Sequence, residues 1–152
     1  LDMRSKGQGY ELSCAIDLDK LAAEGAGYLG RLFRESHRER YGTLPANDHV
    51  ERLIDFVTTW DRKTPMVMHC FAGISRSTAA AYVAACALNP QRDEMQIAWD
   101  IRRSSRTAQP NSRIVSVADR LLNRDGRMIR AIDAIGLGDV ASEGHPFRLD
   151  LL

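Results

Sequence analysis

The chain's 152 residues and 17.0 kDa amount to one domain, long enough to bury a single sizeable core. Its 44% hydrophobic and 27% charged residues are ordinary for a globular protein, and a net charge of +1 excludes a globally basic nucleic-acid binder and an acidic tail. No stretch has the apolar run of a membrane span, no secretory leader is recognisable, and Cys14, Cys70 and Cys86 form an odd set without metal-ligand spacing, so a reduced, cytoplasmic protein with no membrane or nucleic-acid partner is expected.

In chain order, residues 10–16 alternate apolar and polar side chains, which predicts a strand. Residues 17–26 read as a short helix weakened by Gly25 and Gly27, and 27–34 as a second strand. The first 45 residues are otherwise poorly explained. From Asn47 onward the pattern is clearer. Val50, Leu53, Ile54, Val57 and Trp60 recur at helical spacing, with Asp48 and Glu51 placed to form a capping box. Pro65 opens a short apolar strand over 65–69, a glycine-containing turn covers 70–76, and an alanine-rich helix follows until Asn89-Pro90 stops it. Three further helices are predicted over 93–104, 111–124 and 126–136. Asn111 is the N-cap of the second, and Gly136 with Gly138 ends the third. The tail to Leu152 reads as irregular. The expected class is α/β, a single domain over 1–152 with helices flanking a small sheet.

One segment carries chemistry: His69-Cys70-Phe71-Ala72-Gly73-Ile74-Ser75-Arg76-Ser77. Its layout is strand, loop, helix N-terminus. The loop's backbone N–H groups and the positive end of the following helix suit a tetrahedral dianion. Gly73 permits a backbone conformation that other residues resist. Arg76 can return to the same anion with a planar fork and bind two of its oxygens. Cys70 lies at the base of this cradle, where helix dipole, loop amides and Arg76 all favour the thiolate. A thiolate beneath a bound phosphate is a nucleophile aimed at phosphorus. Ser77 can donate a hydrogen bond to the sulfur as it leaves.

His69 to Thr78 resembles the active-site loop of the cysteine-dependent protein tyrosine phosphatases, His-Cys-x5-Arg-Ser/Thr. The Ala-Gly-x-Ser-Arg-Ser form is similar to the dual-specificity branch and its compact bacterial relatives, and the similarity extends over 47–136. Low-molecular-weight phosphatases carry a comparable loop near the N-terminus rather than mid-chain. Rhodanese-type sulfurtransferases usually lack the His-Cys…Ser-Arg-Ser pattern. The resemblance implies a small central, mostly parallel sheet. It implies a nucleophile at Cys70, a phosphate clamp at Arg76, and a cradle of amides from Phe71, Ala72, Gly73, Ile74, Ser75 and Arg76. It further implies that Ser77 assists the second step and that His69 supports the loop. The activity implied is hydrolysis of protein phosphotyrosine, with phosphoserine and phosphothreonine as further substrates, through a phosphocysteine. The substrates are phosphoproteins or small aryl phosphates, and phosphate and vanadate are expected inhibitors. No cofactor and no metal are expected.

Such enzymes also need a carboxylic acid for the leaving oxygen. The family supplies an Asp upstream of the Cys, yet this chain has none between Asp19 and Asp48. Glu35, two residues after Phe33, stands where compact relatives carry Phe-x-Asp; Glu39 is a weaker choice, and Asp48 looks committed to capping. Equally, Glu35 and Glu39 can simply alternate with Arg31, Arg34, Arg38 and Arg40 on a solvated helix. A missing acid would mark the alternative function, a catalytically weak phosphate-binding module. Arg102, Arg103 and Arg106 form a basic cluster, read as a solvated helix end more than as a receiver of acidic phosphopeptides. Cys86 reads as a core residue, and Cys14 is a candidate for a reversible disulfide with Cys70.

Overall fold

The computed structural model describes residues 9–12, 46–63 and 65–150. The expected helix at 17–26 and strand at 27–34 lie outside the described residues, as do Cys14, Glu35 and Glu39. The described elements are β1 (Gly9–Leu12), α1 (Asn47–Thr58), α2 (Arg76–Leu88), α3 (Glu94–Ser104), α4 (Ser112–Leu121), α5 (Arg127–Ile135) and β2 (Phe147–Asp150). None of these helices is long and apolar enough to cross a membrane.

The central element is α2, against which α1, α3, α4 and β1 all pack. Its sequence explains that position. Ala79, Ala80, Ala81, Ala84 and Ala85 leave little bulk around most of the helix, with Tyr82 and Val83 as its large side chains, so neighbours approach closely, and every residue from Ser77 to Cys86 is buried. The outer helices are amphipathic instead. Each offers one apolar stripe to the core: Val50, Leu53 and Val57 from α1, Ile97, Ala98 and Ile101 from α3, Ile114, Val115 and Ala118 from α4, and Met128, Ala131 and Ile132 from α5. Asp93 caps α3 by accepting the Gln96 N–H at 3.0 Å, and Asn111 caps α4 by accepting that of Ile114 at 3.2 Å. Gly136 ends α5 with a positive φ of 63°.

Three sequence expectations are corrected. The box of Asp48 and Glu51 does not form at α1. The N-cap is Ala46, two residues before Asp48, and His49 Nδ1 accepts the Ala46 N–H at 3.1 Å. The tail is not wholly irregular either. Phe147–Asp150 pairs antiparallel with Gly9–Leu12, in a register of Gly9 with Asp150 and Leu12 with Phe147. Leu149 enters the core while Arg148 is exposed, a two-residue period too short to stand out in the sequence. This antiparallel pair is the sheet seen among the described residues. The strand expected over 65–69 is not seen: the segment 65–70 runs without regular structure apart from one β-bridge at Met68.

A buried ion pair holds the far end of α2. Arg124 is 6% exposed and Glu94, the first residue of α3, 4%. Arg124 Nη1 donates to Glu94 Oε1 and to the Pro90 carbonyl, both at 3.0 Å, and Nη2 donates to the Cys86 carbonyl at 2.8 Å. Arg127 Nε approaches the same carboxylate at 3.2 Å from a half-exposed position. Tyr82, fully buried in α2, donates its hydroxyl to the Glu94 carbonyl at 3.1 Å. Asp119 closes the α4–α5 turn by accepting the N–H groups of Gly126 and Met128 at 2.6 and 2.9 Å.

Removing Arg124 strands a buried carboxylate and two backbone acceptors, so Arg124→Met is expected to destabilise the fold by about 3–5 kcal/mol. Arg127→Met, at the half-exposed partner, is expected to cost below about 1 kcal/mol. Urea unfolding followed by circular dichroism measures both.

Candidate active site

The loop between the extended segment 65–70 and α2 has its carbonyls tied from outside. The Ala72 carbonyl accepts the Gly144 N–H at 2.8 Å, the Ile74 carbonyl that of Gln109 at 2.8 Å, and the Ser75 carbonyl that of Asn111 at 3.1 Å. Thr78 Oγ1 donates back to the Ile74 carbonyl at 2.5 Å. No peptide bond here is cis. Each outward carbonyl therefore turns the N–H of the next residue, Gly73, Ser75 or Arg76, to the opposite side. Gly73 adopts a φ of 70°, a left-handed conformation for which glycine is the natural residue. The result is a turn with amides on its inner side, followed at once by the first turn of α2. There Ser75 makes no side-chain cap, so the helix N-terminus presents its N–H groups to the same space.

Cys70 lies inside this turn and is 9% exposed. Its Sγ is 3.3 Å from the Ser77 Oγ and receives the Gly73 N–H at 3.3 Å. Burial by itself pushes the thiol up. The Ser77 hydroxyl and amide, the Gly73 amide and the positive charge of Arg76 outweigh that and hold Cys70 below the ordinary thiol range. Cys86, buried on the same helix, shows what happens without such donors. Burial pushes it up to about 12, even with Tyr82 and Arg124 pulling the other way. Two buried cysteines are thus driven in opposite directions, and the Ser77 hydroxyl, the amides of Ser77 and Gly73 and the charge of Arg76 mark the difference at Cys70.

The structure brings Cys70, Gly73, Arg76 and Ser77 together. His69 and Ser77 are buried, Ala72, Ile74, Ser75 and Arg76 are partly buried, and Phe71 is 72% exposed beside the loop. Glu35 is outside the described residues; Asp48 is exposed in the first turn of α1. The basic cluster is engaged elsewhere. Arg102 donates to the carbonyls of Arg106 and Gly136 at 2.7 and 2.8 Å, Arg103 pairs with Asp100, and Arg106 pairs with Asp139 at 2.9 Å. Among the described residues, no group of three His, Cys, Asp or Glu side chains is placed to hold a metal ion.

Three contributors escaped the sequence reading. Asn111 was legible as a helix cap, but its Nδ2 also lies 3.4 Å from the Ser75 Oγ. Gln109 and Gly144 act through backbone amides, which leave no trace in residue type. The glycine at 144 is a partial signal, seen only once its close neighbours are known.

The family model for protein-tyrosine phosphatase matches residues 40–116, just over half of the chain. The match spans α1, the loop, α2 and α3 and reaches into α4. No curated protein and no solved structure matches the chain.

Ser77→Ala removes a donor to the sulfur and leaves the fold's apolar contacts in place. The midpoint of Cys70 alkylation against pH is expected to rise by about one pH unit, since the thiolate loses one charge-assisted bond. Mass spectrometry of the Cys70 peptide after iodoacetamide pulses at several pH values reads this directly.

Proposed function

We propose that this chain, which belongs to the protein-tyrosine phosphatase family, hydrolyses phosphotyrosine in proteins through a phosphocysteine on Cys70, with phosphoserine and phosphothreonine as further substrates. Membership of the family makes it a phosphatase acting on phosphorylated substrates. The observation that carries the finer reading is the Cys70 thiol, held below its ordinary range at the N-terminus of α2 with Gly73 and Ser77 at 3.3 Å.

In this mechanism the amides of Phe71 to Arg76 and the guanidinium of Arg76 bind the non-bridging phosphoryl oxygens. The Cys70 thiolate attacks phosphorus in line with the leaving oxygen, the P–O bond breaks, and a carboxylic acid donates its proton to that oxygen. Water then attacks the phosphocysteine. The same carboxylate takes the water's proton, the S–P bond breaks, and the Ser77 hydroxyl hydrogen-bonds the departing thiolate. Inorganic phosphate leaves. Glu35 is proposed as the acid from its place in the sequence, two residues after Phe33. His69 supports the loop from the extended segment. The Ala-Gly-x-Ser-Arg-Ser loop supports a place in the dual-specificity branch among compact bacterial forms. The reading includes a single domain over 1–152, a small, mostly parallel sheet, a cytoplasmic setting that keeps the thiol reduced, and inhibition by phosphate and vanadate.

Hydrolysis of an aryl phosphate in the presence of chelator tests the nucleophile. Cys70→Ser is expected to lose about 10³-fold or more in kcat; unchanged turnover removes Cys70 from the mechanism. A pH–rate profile tests the acid. The protonated carboxyl is the active form in the first step, so the rate falls as pH rises through its pKa. Glu35→Gln is expected to remove that basic limb and to lower kcat by about 10²–10⁴-fold. A profile equal to wild type assigns the role elsewhere.

A further inference from the structure

The Ala72–Gly73 peptide bond is gripped at both ends. Its carbonyl accepts the Gly144 N–H at 2.8 Å. Its N–H, that of Gly73, donates to Cys70 Sγ at 3.3 Å. In a planar trans peptide these two groups point in opposite directions, so a donor seated on the oxygen sets the direction of the hydrogen. It also polarises the amide and strengthens the bond made on the far side. We propose that Gly144 is a positioning residue for the Cys70 thiolate, its amide holding the Ala72–Gly73 peptide with the Gly73 N–H turned onto the sulfur. The proposal rests on the reading of Cys70 as nucleophile and adds to it a residue far along the chain.

The need for such a tie follows from Gly73. A peptide preceding glycine is the one in the loop that flips most cheaply, because both signs of φ are open to that residue. Flipping it would present the Ala72 carbonyl to the sulfur, an acceptor facing an anion. The carbonyls of Ile74 and Ser75 are tied by Gln109 and Asn111, inside the stretch that the family match covers. The tie on Ala72 comes from beyond it.

The strap that delivers Gly144 is anchored at both ends. Where it leaves α5, the Gly136 carbonyl accepts Arg102 Nη2 at 2.8 Å, and the Asp139 N–H donates to the Arg106 carbonyl at 2.9 Å. Three residues beyond Gly144 the chain enters β2 and pairs with β1. Gly144 itself is buried. A Cβ there would lie 2.9 Å from the Gly73 carbonyl oxygen and 3.2 Å from Thr107 Oγ1. The nearer neighbour is backbone of the loop itself, so any side chain at 144 pushes on the Gly73–Ile74 peptide, the one next to the peptide the amide holds.

The test is the pH dependence of Cys70 alkylation, read on the Cys70 peptide by mass spectrometry, in wild type, Gly144→Pro, Gly144→Ala and Glu143→Ala. Gly144→Pro has no N–H to donate; Gly144→Ala keeps it and crowds the Gly73 carbonyl. Both are expected to raise the midpoint by about one pH unit, while the exposed Glu143→Ala keeps the wild-type value. Thermal melts establish which variants are folded. Gly144→Pro decides if it melts cooperatively, and Gly144→Ala decides otherwise. A deciding variant with the wild-type midpoint overturns the role of Gly144. A wild-type midpoint at the ordinary thiol value instead overturns the reading of Cys70, so the two failures are distinct.

Discussion

A thiol that ionises out of contact with bulk water needs compensation for its charge, and the structure around Cys70 is arranged around that constraint. The compensation comes first from the Ser77 hydroxyl and then from the backbone amides of Ser77 and Gly73, groups that carry no net charge. Amides point inward only if the matching carbonyls point outward and are satisfied there. The loop therefore depends on three outside donors, Gln109 and Asn111 from the stretch between α3 and α4 and Gly144 from the strap before β2. Ser77 and Arg76 complete the set from the first turn of α2.

The same helix explains why the rest of the fold is built as it is. Its positive end meets the thiolate, and near its negative end the Cys86 carbonyl meets the Arg124 guanidinium. Charge of the favourable sign thus sits at both ends of the macrodipole. A helix so placed has to be surrounded, because its alanine surface contributes little area per residue and gains stability only through close contact on every side. That explains a ring of amphipathic helices around a nearly uniform one. It also explains why Glu94, which holds Arg124, tolerates burial: the pair is satisfied by backbone on one side and by Arg127 on the other.

Legibility in the sequence followed the range of the interactions. The segment from His69 to Ser77 is nine consecutive residues, so the turn at Gly73 and the helix that follows it were legible from residue type and spacing. The helices from Asn47 onward were legible from periodicity and caps, since Asp93, Asn111 and Gly136 act on neighbours three residues away or fewer. The start of α1 was misread because His49, an uncommon cap, took the position expected of an acidic residue. Strand β2 offered four residues and little pattern. The Arg124–Glu94 pair spans 30 positions, and Gly144 lies 72 positions from the carbonyl it holds. No local signal encodes such contacts. The basic cluster at 102–106 was read as a solvated helix end, whereas Arg102 is partly buried and ties the carbonyl of Gly136 at the end of α5.

The pairing of β1 with β2 has a mechanical consequence. Gly9 faces Asp150, so the outer ends of both strands lie at the same end of the ribbon. Tension applied to the chain on either side of the pair loads its hydrogen bonds one after another, as in opening a zipper, rather than all together in shear. Once Leu12 and Phe147 part, the next bond on the path from β2 is that between Gly144 and Ala72. A pull transmitted through β2 therefore reaches the peptide beside Cys70 by way of Gly144, so the strand pair and the surroundings of that sulfur are mechanically coupled.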